Sequence, residues 1–303
     1  MTGSVAPFDF LDRCFACAGD QMEAIGAFRY LRDQAGFVPD EWLHWCRAPG
    51  MLVRCPSCGS QGPRRRPSED LLRAWYERQD YASGELVSEG HLRAAERLNA
   101  ASDIRTLVDV GTGAGSFLDK LAPGITAYGL EPSRVSVEQG RARGRKLLRP
   151  DGGGWSRELP EKVDAITLFD VIEHVRDPRP FLASLAKRVV PGGRIVLFTG
   201  DAGSAWARRW NVRWWYHGYA GHLSCFSARG MESLLGDAGL QMESIAPLIY
   251  ADAPVSLRNQ LRALPSRLLS RFGALQFVDA VLPPVASCPL GVDHMLVTAR
   301  VPR

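Results

Sequence analysis

Two short patterns in this chain have the residue types and spacing to do chemistry. The first is Asp109-Val110-Gly111-Thr112-Gly113-Ala114-Gly115, which closes the apolar run from Leu107 and is followed, after a second apolar run, by Glu131. Glycines let a backbone turn sharply and approach a bound molecule closely. Glu131 lies about twenty residues beyond the first glycine, a position from which a carboxylate reaches the two hydroxyls of a ribose. A dinucleotide site requires G-x-G-x-x-G, whereas position 116 here is Ser and an Asp precedes the turn. That carboxylate repels a pyrophosphate and suits a cofactor carrying an ammonium and a sulfonium. The candidate cofactor-binding residues are therefore Asp109, Gly111, Thr112, Gly113, Gly115 and Glu131, with an ordinary strand-to-helix turn as the plainer alternative. Asp170, at the end of a later apolar run, is either a further cofactor contact or a helix cap. Asp151 could accept from an adenine amino group, or belong with Gly152-Gly153-Gly154 to a flexible turn.

The second pattern is a pair of C-x-x-C segments, Cys14-Phe15-Ala16-Cys17 and Cys55-Pro56-Ser57-Cys58. Each can present two thiolates from one tight turn, and two such turns complete a tetrahedral zinc site. Four thiolates leave no open position for water, so this zinc is structural. The gap between the pairs exceeds the usual ribbon spacing. Two pairs of reduced, buried cysteines are the alternative, a redox role being less well supported. Cys46 could replace one ligand, and Cys225 and Cys288 read as core residues.

These residues need elements to position them. Apolar runs predict strands near 106–111, 126–131, 146–148, 165–170, 194–199, 241–247 and 294–300, with helical stretches between, the pattern of a mostly parallel sheet covered on both faces. The glycine turn is expected to enter a helix. Ser68 is expected to cap a helix running through Leu71, Leu72, Trp75 and Tyr76, and a second helix spans about Gly90 to Ala100. The chain divides into a cysteine module over 1–66, linking helices over 67–101 and a catalytic domain over 102–303. The last carries an aromatic lid loop at about 203–222 and a helical insertion at about 252–290.

The glycine pattern with Glu131 resembles motif I and the acidic loop of class I S-adenosylmethionine-dependent methyltransferases. Further segments match in order: Val163 to Val175, with Asp170 and the pair Glu173-His174; Arg176 to Val190; Pro191-Gly192-Gly193 before Arg194-Ile195-Val196-Leu197; and His222-Leu223-Ser224-Cys225-Phe226-Ser227. The subgroup resembled is that of ubiquinone-pathway and sugar methyltransferases, many of which carry an N-terminal zinc ribbon. The resemblance implies an α/β fold, a doubly wound, mostly parallel, seven-stranded Rossmann-like sheet with the last strand antiparallel, preceded by a small zinc-binding module. It implies S-adenosyl-L-methionine as cofactor and zinc on Cys14, Cys17, Cys55 and Cys58. It also implies that the loop after the fifth strand overhangs the methyl donor.

That loop holds four of the chain's eight tryptophans, Trp206, Trp210, Trp214 and Trp215. Such rings can wall an acceptor pocket and stack on a flat or sugar-like ligand, or simply pack on one another. A base is needed only where the acceptor loses a proton. His217 and His222 are the candidates, because imidazole titrates near neutrality. The expected acceptor is an oxygen or carbon of a small molecule, a sugar or natural-product intermediate. Alternatives are an RNA acceptor contacted through the ribbon and Arg64-Arg65-Arg66, and a non-catalytic scaffold with a vestigial cofactor site.

The chain has 303 residues, 46% hydrophobic and 23% charged, with a net charge of +4, an ordinary globular balance that neither demands nor excludes a polyanionic partner. No apolar run reaches the roughly twenty residues of a membrane span. The start lacks a basic, apolar leader, so a cytoplasmic location is expected. In the insertion, leucines interleaved with Arg258, Arg262, Arg267 and Arg271 suit a lid or a homodimer face, or a helix on an acidic surface.

Overall fold

The computed structural model describes residues 8–30, 46, 48–72, 87–151, 154–250 and 292–303. The predicted insertion at 252–290, Cys288, Trp75, Tyr76 and Gly152-Gly153 lie outside the described residues. In chain order the strands are β1 (Phe8–Phe10), β2 (Glu23–Phe28), β3 (Gly50–Arg54), β4 (Gln61–Pro63), β5 (Arg65–Pro67), β6 (Thr106–Val110) and β7 (Thr126–Leu130). They continue as β8 (Leu147–Leu148), β9 (Val163–Phe169), β10 (Val189–Gly200), β11 (Gln241–Leu248) and β12 (His294–Arg300). The helices are α1 (Glu89–Ala100), α2 (Arg134–Ala142), α3 (Pro178–Ala186), α4 (Ala205–Trp210) and α5 (Ala228–Asp237). None among the described residues is long and apolar enough to cross a membrane.

The chain forms two compact units. One comprises Tyr76–Thr199, Met231–Leu248 and His294–Arg303; the other comprises Met1–Trp75, Gly200–Gly230 and Ile249–Asp293. The aromatic segment after the fifth sheet strand thus belongs with the cysteines, and the units interleave along the sequence.

The first unit is built on a seven-stranded sheet in the order β11-β12-β10-β9-β6-β7-β8. β6 pairs in parallel with β7 and β9, β7 with β8, and β9 with β10. β11 and β12 are antiparallel, Ile245 opposite Val297. All seven strands read from the sequence are present. They were legible because Val163–Phe169 and Arg194–Gly200 are nearly continuous apolar runs, as strands buried on both faces require. Leu107, Val108, Ile166, Leu168, Ile195 and Leu197 are fully buried.

One element differs from expectation. After the glycine turn the chain forms only a five-residue 3₁₀ helix, Ser116–Lys120. Pro123 follows closely, and a proline lacks the N–H an α-helix would need there and crowds the preceding turn. α1 opens on Ser88, whose backbone N–H donates to Nδ1 of His91 at 3.1 Å, so a histidine fills the third helical position usually given to Glu or Gln.

The second unit contains two small antiparallel sheets, β1-β5 and β2-β3-β4. Ser68 accepts from the Leu71 N–H at 3.3 Å, the cap the sequence suggested. Gln61 at the start of β4 exchanges backbone hydrogen bonds with Cys225, both at 2.8 Å. Trp214, Tyr216, Phe226, Phe28 and Leu52 are the large buried side chains of this unit.

Candidate functional site

In the sheet unit, β6 ends in a turn whose three glycines all take left-handed backbone conformations, φ +73° at Gly111, +56° at Gly113 and +86° at Gly115. Gly111 is doubly required, since a Cβ there would also lie 2.4 Å from Cγ2 of Val171. The Gly113 N–H donates to Oε2 of Glu131 at 2.9 Å, and the Ser133 N–H donates to Oε1 at 2.8 Å. The carboxylate at the tip of β7 is thereby fixed against the glycine turn, and each oxygen retains a second lone pair. Burial pushes the Glu131 carboxyl above its ordinary range, against the opposing pull of the two backbone N–H groups. The bidentate acceptor left over fits a vicinal diol such as a ribose.

Asp109 sits inside β6, 2% exposed, and its Oδ1 accepts from the Thr167 hydroxyl at 2.6 Å. Burial pushes its carboxyl up to about 7. Its partner is thus a hydroxyl of the neighbouring strand β9. Asp170 follows β9 directly with φ +53°, and its N–H donates to the Phe198 carbonyl at 3.0 Å. It caps neither following helix: Val171 precedes the turn Ile172–His174, and Asp177 precedes α3. The left-handed region is uncommon for non-glycine residues, and Asp is among those that adopt it most readily. Asp151 accepts from the Arg157 N–H at 2.7 Å and so closes its own loop.

One residue here gave no signal in the sequence. The His91 ring lies 4.2 Å from that of Phe169, the last residue of β9, and 5.7 Å from that of Phe117 in the 3₁₀ helix after the glycine turn. Burial pushes it down to about 4. It is therefore a neutral imidazole whose Nδ1 is occupied by the α1 cap.

In the other unit, the sulfurs of Cys14, Cys17, Cys55 and Cys58 all lie within 4.8 Å of one another. Cys14 and Cys58 are 3.6 Å apart, Cys17 and Cys55 3.5 Å. These separations exceed a disulfide bond and match the roughly 3.8 Å between sulfurs placed about 2.3 Å from one tetrahedral zinc. The two turns repeat one geometry. Cys14 N–H donates to Gly19 O and Ala18 N–H to Cys14 O; Cys55 N–H donates to Ser60 O and Gly59 N–H to Cys55 O. The residue after each pair is left-handed, Ala18 at φ +55° and Gly59 at +84°. The donor set is that of a closed structural site, and Cys46, whose thiol burial pushes up to about 12, is not part of it. The hydrogen bond between Cys14 and Cys58 pushes the Cys58 thiol down to about 4 and the Cys14 thiol well above its ordinary range.

The second cysteine turn is tied to the aromatic segment. The Ser227 hydroxyl donates to the Cys58 carbonyl at 2.5 Å, and the Ser227 N–H donates to the Ser60 hydroxyl at 3.2 Å. Cys225 Sγ lies 3.4 Å from Nδ1 of His217, and Cys225 is fully buried, as read from the sequence. His217 is 3% exposed and burial pushes it down to about 3, which suits a neutral structural imidazole. His222 differs. Its Nδ1 is 2.8 Å from the Tyr216 carbonyl oxygen, an acceptor only, so Nδ1 carries a proton and donates there. Its ring is 3.9 Å from that of Tyr216 and 4.8 Å from that of Tyr219. Of Arg64-Arg65-Arg66, Arg66 is only 4% exposed and Arg65 lies 4.5 Å over the Phe8 ring, so the run does not form a continuous basic face.

Comparison with known proteins gives a consistent picture. A family model described as a methyltransferase domain matches residues 74–245, more than half of the chain. The mitochondrial ubiquinone biosynthesis O-methyltransferase of Schizosaccharomyces pombe is 28% identical over 147 residues, which are 43% of this chain and 52% of that one. The ubiquinone biosynthesis O-methyltransferase of Aliivibrio fischeri is 32% identical over 102 residues, 31% of this chain and 44% of that one. The chain thus spans about half the length of the curated relatives it matches. Among solved structures, Haemonchus contortus phosphoethanolamine N-methyltransferase 2 in complex with S-adenosyl-L-methionine superposes with a TM-score of 0.52 at 13% identity, covering 93% of this chain and 68% of that one, a likeness of fold alone. The sheet order, the matched domain and these relatives together establish that the chain belongs to the class I S-adenosylmethionine-dependent methyltransferase family.

Proposed function

We propose that this chain transfers a methyl group from S-adenosyl-L-methionine to an oxygen of a small hydroxylated molecule. The observation that carries this reading is the Glu131 carboxylate, anchored on the Gly113 and Ser133 N–H groups with one lone pair left on each oxygen. In this reading Glu131 takes the ribose hydroxyls, the turn from Gly111 through Gly115 admits the cofactor's amino-acid part, and Asp170 orients it. Asp109 and Thr112 support the turn. The cofactor supplies, when bound, a methyl group already activated by a positively charged sulfur. What remains for the protein is to align the acceptor oxygen with that carbon, and orientation supplies much of the rate.

A hydroxyl acceptor must lose its proton, and His222 is better suited than His217 to take it at Nε2. Burial holds His217 too acidic to serve near neutrality. Cys14, Cys17, Cys55 and Cys58 hold a structural zinc whose work is to brace the segment carrying both histidines. Oxygen is favoured over carbon as acceptor because the curated relatives matched are O-methyltransferases by name. The test is to incubate the purified protein with methyl-labelled donor and separate panels of phenols, sugars and RNA, and to identify labelled products by mass spectrometry. An O-methylated small molecule, with turnover lost in His222→Gln, is the expected result. Label on RNA, or on nothing, overturns the reading.

A further inference from the structure

We propose that Trp206, Trp210 and Arg213 form a recognition site for an oxyanion, a carboxylate or phosphate. This rests on the reading of the chain as a small-molecule methyltransferase and adds a ligand chemistry to it. It starts from the four indoles of the aromatic segment, which are treated in two ways. Trp214 and Trp215 both direct their N–H groups to Oδ2 of the fully buried Asp293, at 3.4 and 2.9 Å. Trp206 and Trp210 also have buried indole nitrogens, but these have no acceptor among the described residues.

An indole nitrogen can only donate, and a buried donor without an acceptor is costly. Trp206 and Trp210 are four residues apart on α4, on one face, with ring centres 5.7 Å apart in an edge-to-face arrangement. Their rings pack on the buried cluster of Ala202, Ala207, Trp214 and Tyr216, and the charged groups beside Trp210 are cations. The Arg213 guanidinium carbon is 6.0 Å from the Trp210 ring centre and that of Arg209 is 5.6 Å from it, and Arg213 is only 5% exposed. Asn211, between Trp210 and Arg213, is held at φ +46°. From Ser204 to Trp215 the sequence contains three arginines and no Asp or Glu. At Asp293 one carboxylate oxygen accepts from two indole N–H groups, the kind of acceptor that Trp206 and Trp210 lack among the described residues. What completes the second pair is therefore an oxygen-rich anion, and a ligand group with only donors to offer does not fit.

Three small probes test this on the whole protein: benzoate, phenyl phosphate and the neutral benzamide, each titrated by calorimetry and by quenching of tryptophan fluorescence, with S-adenosylhomocysteine binding measured on the same preparation. At least one anion should bind about tenfold or more tightly than benzamide, the cost of losing charge-assisted hydrogen bonds, and the tighter anion tells carboxylate from phosphate. In Trp206→Phe/Trp210→Phe, which keeps the rings and removes the donors, anion affinity should fall to that of the amide with S-adenosylhomocysteine binding unchanged. Equal binding of amide and anions by the natural protein, or no saturable binding of either anion while S-adenosylhomocysteine still binds, overturns the assignment and leaves the methyltransferase reading standing. Failure to bind S-adenosylhomocysteine at all overturns both.

Discussion

The sheet unit carries its chemistry on one stretch of chain, with Asp109, the glycine turn and Glu131 within about two dozen residues, over a fully buried layer of Leu107, Val108, Ile166 and Leu168. The cysteine unit draws its parts from stretches far apart. Ser227 reaches Cys58 across 169 positions, and Trp215 reaches Asp293 across 78. The first is stabilised by apolar area along one continuous seven-stranded sheet, and removing one polar contact leaves most of that intact. The second has strands of three to six residues, and its large buried side chains, Trp214, Tyr216, Phe28 and Phe226, come from separate stretches of chain. Within it, Cys14, Cys17, Cys55 and Cys58 bring two of these stretches together.

This contrast can be broken most decisively at the cysteines. Structural zinc sites contribute on the order of 10 kcal/mol to folding. Cys14→Ser/Cys58→Ser, or chelation of the natural protein, is therefore expected to abolish hydrogen-exchange protection over 50–67 and 214–227 while 163–169 and 194–199 stay protected. Uniform loss, or no loss, would remove the distinction between the units.

Next in size is Gly111→Ala in the sheet unit. A left-handed alanine and the clash with Val171 together should cost about 3 kcal/mol, read as a lower denaturation midpoint. Gly111→Ala/Val171→Ala should recover the steric part alone, and an unaltered midpoint in the single variant would show that the turn is not strained.

Asp109 offers a pH-dependent test on the same strand. Its folded carboxyl titrates at about 7, against an ordinary value of 3.8, so the folded state retains a proton that the unfolded state releases. Its contribution to stability is therefore lost progressively as pH rises from about 4 through 7. Asp109→Asn should melt at a higher temperature than the natural protein at pH 8, by on the order of 2 kcal/mol, with the gap closing toward pH 4. A gap that widened in acid would reverse the sign and refute the assignment.

The smallest effect is expected at Ala18, whose counterpart in the other cysteine turn is Gly59. Ala18→Gly should stabilise the metal-loaded protein by about 0.5–1 kcal/mol, since relief of the left-handed strain exceeds the added freedom of the unfolded chain. Destabilisation would mean that the two turns are not equivalent.

The same contrast explains what could be read beforehand. The strands, the glycine turn, Glu131 and the two cysteine pairs were legible because each is encoded locally, by an apolar run or a fixed spacing. The helix expected after the glycine turn is cut to one short 3₁₀ turn ahead of Pro123, a breaker that the expectation left out of account. The union of the cysteines with the aromatic segment was not legible, because the Gln61–Cys225 and Ser227–Cys58 contacts depend on tertiary packing that no local pattern records. His91 was missed for a related reason. Its role as a cap with a ring against Phe169 looks, in sequence, like any helical histidine.

Calorimetry with S-adenosylhomocysteine on the natural protein and on Glu131→Gln tests the central claim most directly. Saturable binding in the natural protein, weakened about tenfold or more by a change that keeps the side chain's shape but removes its charge, is the expected result. No saturable heat in the natural protein, or the same affinity in Glu131→Gln, would contradict the assignment of the glycine turn and Glu131 as the cofactor site.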